Sequence, residues 1–166
     1  GQPVIRGQGA PRVLVLQNEI PHATNLAIAR QARERGAQVV FNAAPSRAQA
    51  RDLMDLVDVL VVNRVEAADL SGLTVHDRAS AEQAATLLAQ QALAVIVTLG
   101  GDGLVMVERG AAPAFISALP VRVTSAHGAG DCFVGTVAAE LARGTALPVA
   151  CATANRRAAA HVSRIT

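Results

Sequence analysis

The sequence contains no lysine, so all 15 of its basic side chains other than histidine are arginines. A P-loop holds phosphates with a lysine, and an enzyme that works through a Schiff base needs a lysine amine. The absence of lysine therefore excludes both classes of site for this chain. If the protein binds phosphate, backbone amides or arginines have to do it.

Aromatic residues are almost as scarce, with three phenylalanines and neither tyrosine nor tryptophan. The arginines are spread along the chain, with one adjacent pair at Arg156 and Arg157, and the formal net charge is only +2. A nucleic-acid surface generally combines clustered cations with aromatic side chains that stack on bases. We therefore expect no nucleic-acid partner.

Cysteines and long apolar runs are also few. The two cysteines, Cys132 and Cys151, are too few for a disulfide framework or a four-cysteine zinc site. No apolar run approaches the roughly 20 residues that cross a bilayer, and residues 1–6 lack the basic and apolar regions of a signal peptide. These observations predict a cytoplasmic protein with no membrane partner.

Short apolar runs alternate with helix-like segments along most of the chain. The run 13–16 is continuously apolar, which is typical of a strand buried on both faces. Alternation of this kind predicts an α/β fold with three α/β/α layers and a mainly parallel sheet, and we expect residues 1–166 to form a single α/β domain. The predicted strands are 13–16, 38–41, 58–62, 94–98, 104–107, 114–116 and 121–123. The predicted helices are one opened by Pro21 that runs to Arg35, one capped by Ser46 that extends through Leu56, a short one from the Asn63–Glu66 segment to Ser71, 77–91, one after Asp131 that ends at Gly144, and one from Pro148 to about Val162.

Polar residues follow the apolar strands at the points where the strands end. They are Gln17 to Glu19, Asn42, Asn63 to Glu66, and Thr98 to Gly103. Because the carboxyl ends of parallel strands meet at one edge of a sheet, and ligands bind there, we expect these clusters to lie along one edge.

The segment Ser125-Ala126-His127-Gly128-Ala129-Gly130-Asp131 stands at the start of a predicted apolar helix. Gly128 and Gly130 allow a phosphate to approach the backbone, whose free amides and helix dipole favour an anion. Asp131 can accept a proton from an attacking hydroxyl, so the segment predicts an anion hole beside a general base. The alternative is an ordinary strand-to-helix turn in which Asp131 only caps the helix or offsets its dipole.

Two further motifs accompany this segment. Asn63 and Glu66, three residues apart, can serve a magnesium ion partly through water, or can form a capping pattern at a helix start. The turn from Thr98 through Gly100 to Gly103 can lie against a nucleotide, or can be plain turn geometry. Neither glycine cluster completes the dinucleotide fingerprint, since Met106 and Phe133 fill the final glycine positions. The interpretation that the protein is an NADH-dependent oxidoreductase therefore fits the glycine spacing poorly.

Taken together, these motifs resemble the ribokinase (PfkB) family of carbohydrate kinases. The resemblance runs from about Val13 to Thr166 and rests on Asn63-x-x-Glu66, Thr98-Leu99-Gly-x-x-Gly103 and Gly128-Ala129-Gly130-Asp131, with Gln17-x-Glu19-Ile20-Pro21 and Asn42-Ala43-Ala44-Pro45 similar to ribokinases in particular. It implies a ribokinase-like fold, ATP and Mg²⁺ as cofactors, and a ribose-like sugar that receives the γ-phosphoryl group of ATP.

The resemblance also assigns roles to individual residues. It implies that Asp131 is the catalytic base and contacts the sugar together with Glu19, and that Gly128, Ala129 and Gly130 form the anion hole. It places Asn63 and Glu66 at the magnesium ion. The remaining cofactor-binding residues it implies, besides Asn63, are Thr98, Gly100, Gly103 and Asn155, the last near the adenine.

The chain departs from the family pattern at two points. The family motif reads D-T-x-G-A-G-D, whereas Ser125 and Ala126 occupy the Asp-Thr positions, and that Asp is associated with an activating monovalent cation. Activation by such a cation is therefore left open. The resemblance also implies that the chain is the nucleotide-binding portion, without the N-terminal part that carries most of the sugar site and the lid through which family members often form a homodimer. Truncation, the omission of residues and a short natural protein all stay open as the reason. A degenerate, non-catalytic nucleotide-binding or regulatory module is the alternative function.

Overall fold

A computed structural model describes residues 12–163, and the stretch 1–6 discussed above lies outside them. The described residues contain one six-stranded sheet whose strands stand in chain order. The first four strands are parallel, and the last two run antiparallel to their neighbours. The strands are β1 (Val13–Gln17), β2 (Gln38–Asn42), β3 (Val59–Asn63), β4 (Ala94–Thr98), β5 (Gly103–Glu108) and β6 (Ala114–Ser117).

Helices connect the strands and cover both faces of the sheet. The α-helices are α1 (His22–Glu34), α2 (Arg64–Ser71), α3 (Arg78–Leu88), α4 (Ala129–Ala142) and α5 (Leu147–Val162), and a 3₁₀ helix spans Ala48–Leu56. The predicted α/β architecture with a mainly parallel sheet is thus confirmed. None of the helices in the part of the chain that the structure describes is long and apolar enough to span a membrane.

Successive side chains of the central strands pack alternately into two separate hydrophobic cores, one on each face of the sheet. Val39 and Phe41 of β2 pack with α1, α2, α3 and the 3₁₀ helix, whereas Val40 between them packs on the face covered by α4 and α5. Because successive strand residues point to opposite faces, a strand that is apolar throughout has to be covered on both sides. The sheet is the middle of the three predicted layers.

Two local predictions are wrong. Ser46 does not cap the following helix: the cap position is Arg47, which makes no side-chain capping bond, and the Ser46 hydroxyl donates to a carboxylate oxygen of Asp69 at 2.5 Å. The segment 121–123 is not a strand, since β6 ends at Ser117 and the chain then runs without regular structure to α4. Pro120 and three partly exposed apolar residues, Leu119, Val121 and Val123, instead form one wall of the pocket described below.

Candidate functional site

The four parallel strands end on polar residues along one edge of the sheet, as predicted. Gln17 lies opposite Asn42 in the register of β1 and β2, and Asn63 lies opposite Thr98 in the register of β3 and β4. The start of α4 reaches the same edge, because Gln17 at the end of β1 donates to Asp131 in the first turn of α4. This edge therefore collects most of the residues singled out in the sequence.

Helix α4 begins at this edge with free backbone amides. Its N-cap residue is Gly128, whose φ of 72° is a left-handed conformation that favours glycine, and no side chain caps the helix. Among residues 12–163, the amides of Gly130 and Asp131 make no hydrogen bond, while that of Ala129 bonds to the carbonyl of Ala126 at 3.3 Å. Unpaired amides at the positive end of a helix dipole form a site for an anion such as phosphate.

Asp131 stands in the first turn of α4 but does not cap it. Its side chain is exposed, and its Oδ1 accepts a hydrogen bond of 3.4 Å from Nε2 of Gln17 at the end of β1. The carboxylate thus lies between the amides of α4 and the carboxyl end of β1. An accessible carboxylate beside an anion site has the placement that a general base for phosphoryl transfer requires.

Asn63 and Glu66 form a complete capping box at the start of α2. The Asn63 side chain accepts from the amides of Val65 and Glu66, and the Glu66 carboxylate accepts from the backbone and side-chain amides of Asn63 at 2.8 and 2.9 Å. The capping alternative drawn from the sequence is therefore observed. It leaves the magnesium prediction standing, because each carboxylate oxygen keeps a further lone pair through which a metal-bound water can be held.

Burial raises the pKa of the Glu66 carboxyl, which is 5 % exposed. The hydrogen bonds from Asn63 act in the opposite direction but are outweighed, and the nearby Asp69 adds a smaller increase in the pKa. Since the folded protein holds this proton more tightly than the unfolded chain does, folding stability and pH are coupled through Glu66.

The coupling predicts a pH dependence that a Glu66→Gln variant lacks. An acid with a raised pKa contributes most stability below its unfolded value near 4.5 and loses it as pH rises through the folded value. We expect the free energy of unfolding of the wild type, taken relative to Glu66→Gln, to fall across that window. Urea unfolding of both proteins between pH 4 and pH 8 measures it, and a difference that is constant or rises with pH would contradict the prediction.

A pocket of about 390 Å³ opens between the β4–β5 turn, the loop after β6, and helices α4 and α5. The residues that line it are mostly apolar with small side chains, which suits a flat ring system. Six of the residues predicted from the sequence line it. They are Thr98, Gly100, Gly103, Ala129, Gly130 and Asn155. The anion site at the start of α4 therefore forms one end of this pocket.

Asn155 is the polar group that α5 contributes to the pocket. Its Nδ2 donates to the carbonyl of Ser117 at 2.8 Å, which fixes the orientation of the amide. Thr98 has its hydroxyl bonded to the carbonyl of Val62 at 3.3 Å. Both side chains are therefore held in place by the sheet.

The turn that carries Gly100 and Gly103 is held from two sides. The amide of Leu99 donates to the carbonyl of Gly103 at 2.8 Å, and Arg64 of α2 forms an ion pair with Asp102 and donates to the carbonyl of Leu99 at 3.3 Å. Sequence reasoning did not single out Arg64, although its place beside Asn63 at a strand end was a usable signal. The pocket wall formed by Leu119, Pro120, Val121 and Val123 was also missed, because residues 121–123 were predicted to be a strand.

Not all predicted residues line the pocket. Asn63 lies beside Thr98 in the sheet register but outside the lining, and Glu66 is buried in α2. Glu19 is exposed in the turn that follows β1, and Gln17 at the end of β1 donates to Asp131. The edge thus has an apolar pocket at one end, an anion site in the middle, and acidic groups towards β1.

The fold and the site define an α/β/α protein with a pocket of about 390 Å³ beside a helix start whose backbone amides are free. Residues 4–165 match the model of the pfkB family carbohydrate kinases. The chain belongs to this family.

Several curated relatives of similar sequence are ribokinases. The chain is 34% identical to the ribokinase of Lactococcus lactis over 128 residues, which are 76% of this chain and 39% of that protein. It is also 34% identical to the ribokinase of Mus musculus over 134 residues, which are 79% of this chain and 42% of that protein. The chain therefore spans about two fifths of the length of these relatives.

Two solved ribokinase structures have a fold similar to that of this chain. The Arabidopsis thaliana ribokinase, in a structure complexed with ribose and ATP, matches with a TM-score of 0.86 and 25% identity over 93% of this chain and 50% of that chain. The Thermotoga maritima ribokinase matches with a TM-score of 0.80 and 30% identity over 93% of this chain and 51% of that chain. The fold is ribokinase-like, as the sequence predicted.

Proposed function

We propose that the protein is an ATP-dependent sugar kinase that transfers the γ-phosphoryl group to a hydroxyl of a ribose-like sugar. The observation that carries the proposal is the uncapped start of α4, where the free amides of Gly130 and Asp131 stand between an apolar pocket and an exposed carboxylate. Membership of the carbohydrate kinase family and similarity to a ribokinase complexed with ribose and ATP support it.

In this proposal the nucleotide spans the pocket from α5 to α4. The adenine lies between the apolar walls near Asn155, and the phosphates pass Thr98 and the Gly100–Gly103 turn towards α4. The backbone amides of Gly130 and Asp131 then face the transferring phosphoryl group. Because these donors are fixed before the substrate arrives, they stabilise the charge that develops on the phosphoryl oxygens without reorganising.

Asp131 acts as the general base. Its carboxylate takes the proton of the sugar hydroxyl, the hydroxyl oxygen forms a bond to the γ-phosphorus, and the bond from that phosphorus to the bridging oxygen breaks to release ADP. The hydrogen bond from Gln17 keeps the carboxylate turned towards β1, and Glu19 on that side contacts the sugar.

Asn63 and Glu66 would hold a magnesium ion through water. A water-mediated contact is expected because both carboxylate oxygens of Glu66 already accept hydrogen bonds from Asn63. When bound, the ion neutralises charge on the nucleotide phosphates. The contribution of the chain is to hold the Glu66 carboxylate in one orientation. The capping box does this because both of its oxygens are tied to one residue at the strand end.

A pair of neighbouring alanines on α5 tests the nucleotide site. Ala159 lines the pocket, whereas Ala160 is exposed and lies outside the lining. Ala159→Leu places a larger side chain in the space assigned to the nucleotide, so we expect the affinity for MgATP to fall about tenfold or more, which is ~1.4 kcal/mol. Ala160→Leu should leave it within about twofold of wild type, because surface substitutions usually change little.

Calorimetric titration of MgATP into the three proteins provides the measurement. Equal affinities of wild type and Ala159→Leu would place the nucleotide elsewhere and overturn the assignment of the pocket.

A further inference from the structure

The loop before α4 is tied to the C-terminal end of α5. The amide and the hydroxyl of Thr124 donate to the carbonyl of Val162 at 2.8 and 3.0 Å, and the amide of Ser125 donates to the same carbonyl at 3.3 Å. One residue earlier on α5, Nε2 of His161 lies 2.9 Å from the carbonyl oxygen of His127. Two consecutive residues of α5 thus hold both ends of a four-residue stretch that leads into Gly128.

The contact of His161 fixes which ring nitrogen carries a proton. A carbonyl oxygen only accepts hydrogen bonds, so Nε2 of His161 is the donor. The imidazole also lies against the turn itself, since a Cβ built on Gly128 would be 3.2 Å from Nε2. Gly128 adopts its left-handed conformation directly beneath this ring. The next two residues along the chain begin the anion site.

The same loop is a poor site for a monovalent cation. Residues 124–130 contain no acidic side chain, because Ser125 and Ala126 replace the Asp-Thr pair of the family pattern. Its neighbouring carbonyls are already used: Val162 accepts from Thr124 and Ser125, His127 accepts from His161, and Ala126 accepts from the amide of Ala129. Alkali cations bind to oxygen atoms, and here three carbonyl oxygens around the loop already accept hydrogen bonds from N–H or O–H groups. The residues present do not fit such an ion.

We propose that the imidazole of His161 positions the phosphate-binding turn at Gly128 through its hydrogen bond to the His127 carbonyl, and that this internal contact makes nucleotide binding independent of a monovalent cation. The proposal rests on the proposed function, because it assigns the turn to phosphate. His161 is a positioning residue: it acts through the backbone of residues 127 and 128, and the ring lies behind the turn.

The test compares two substitutions of His161. His161→Ala removes the donor, whereas His161→Gln retains an amide N–H at a similar reach. We expect the affinity for MgADP to fall about fivefold in His161→Ala, which is ~1 kcal/mol and the usual net worth of one neutral hydrogen bond, and to return to within twofold of wild type in His161→Gln. His76→Ala is the control, because His76 lies on the loop before α3 and should leave affinity unchanged.

Two further measurements separate this proposal from the function on which it rests. The amides of Ala129 and Cys132 donate to the carbonyls of Ala126 and Gly128, so their hydrogen exchange reports on the turn. It should accelerate in His161→Ala and recover in His161→Gln, whether or not nucleotide is present. Affinity of the wild type for MgADP should agree within twofold in potassium chloride and in tetramethylammonium chloride at equal concentration.

Unchanged exchange and affinity in His161→Ala would overturn the positioning role, and a gain of more than fivefold with potassium would overturn the cation independence. If the wild type binds no nucleotide, the proposed function fails, while the exchange measurement still decides whether His161 positions the turn.

Discussion

Asp131→Asn is expected to lower kcat for sugar phosphorylation by ~10²–10⁴-fold while the affinity for MgATP stays within about twofold. Asparagine has nearly the shape of aspartate and still accepts the hydrogen bond from Gln17, but it cannot take the hydroxyl proton. The amides that face the phosphate belong to the backbone and survive the substitution. A loss in kcat without a loss in binding is therefore the signature of a base.

Sugar-dependent release of ADP provides the measurement, with ribose as the first substrate. Asp55→Asn is a matched control, because Asp55 is exposed on the 3₁₀ helix away from the pocket. An unaffected kcat in Asp131→Asn would show that another group accepts the proton. A wild type that binds MgATP but turns over no sugar would favour the alternative function, a non-catalytic nucleotide-binding module.

Gly103→Ala is expected to destabilise the fold by about 3 kcal/mol, which corresponds to a fall of about 6–12 °C in Tm for a domain of this size. The φ of Gly103 is 119°, and an added Cβ would lie 2.1 Å from the carbonyl oxygen of Ile116 and 2.7 Å from the amide nitrogen of Ala118. Those atoms belong to the backbone of β6 and the loop after it, so they cannot move aside as the tip of a side chain can.

The neighbouring glycine supplies the control. A Cβ on Gly101 would meet nothing within 4 Å, and Gly101 has no positive φ, so Gly101→Ala should change the free energy of unfolding by less than about 0.5 kcal/mol. Urea unfolding of both variants measures the difference. If the two are equally stable, β6 does not pack on Gly103 as described.

The alternation of apolar runs and helical segments predicts most of the fold. The predicted strands 38–41, 94–98 and 104–107 each lie within one residue of the observed bounds, because a strand covered on both faces is apolar throughout and ends where the chain meets solvent. The predicted strand 121–123 fails for a related reason. Its apolar residues are buried by no sheet neighbour and form the wall of a pocket, and a short sequence pattern does not distinguish the two environments.

The sequence motif of Asn63 and Glu66 does not by itself distinguish a helix cap from a magnesium site. Their spacing is that of a capping box and is also the spacing the family uses near magnesium, and the structure shows that the first arrangement is present. The two uses are compatible, since the capping box holds the carboxylate in a fixed place. The magnesium role of both residues stays a prediction, as does the contact of Glu19 with the sugar.

Sequence alone predicted how this chain would hold phosphate. Without lysine, phosphate has to be held by backbone amides or arginines, and Gly128-Ala129-Gly130-Asp131 before an apolar helix is the segment that offers such amides beside a base. Only the tertiary structure decided what that segment faces. Gln17, Asn155 and His161 lie far from it in the chain, and they meet it because parallel strands end at one edge and α5 packs along α4. Contacts of this kind depend on how helices and strands pack against one another, so local sequence patterns do not predict them.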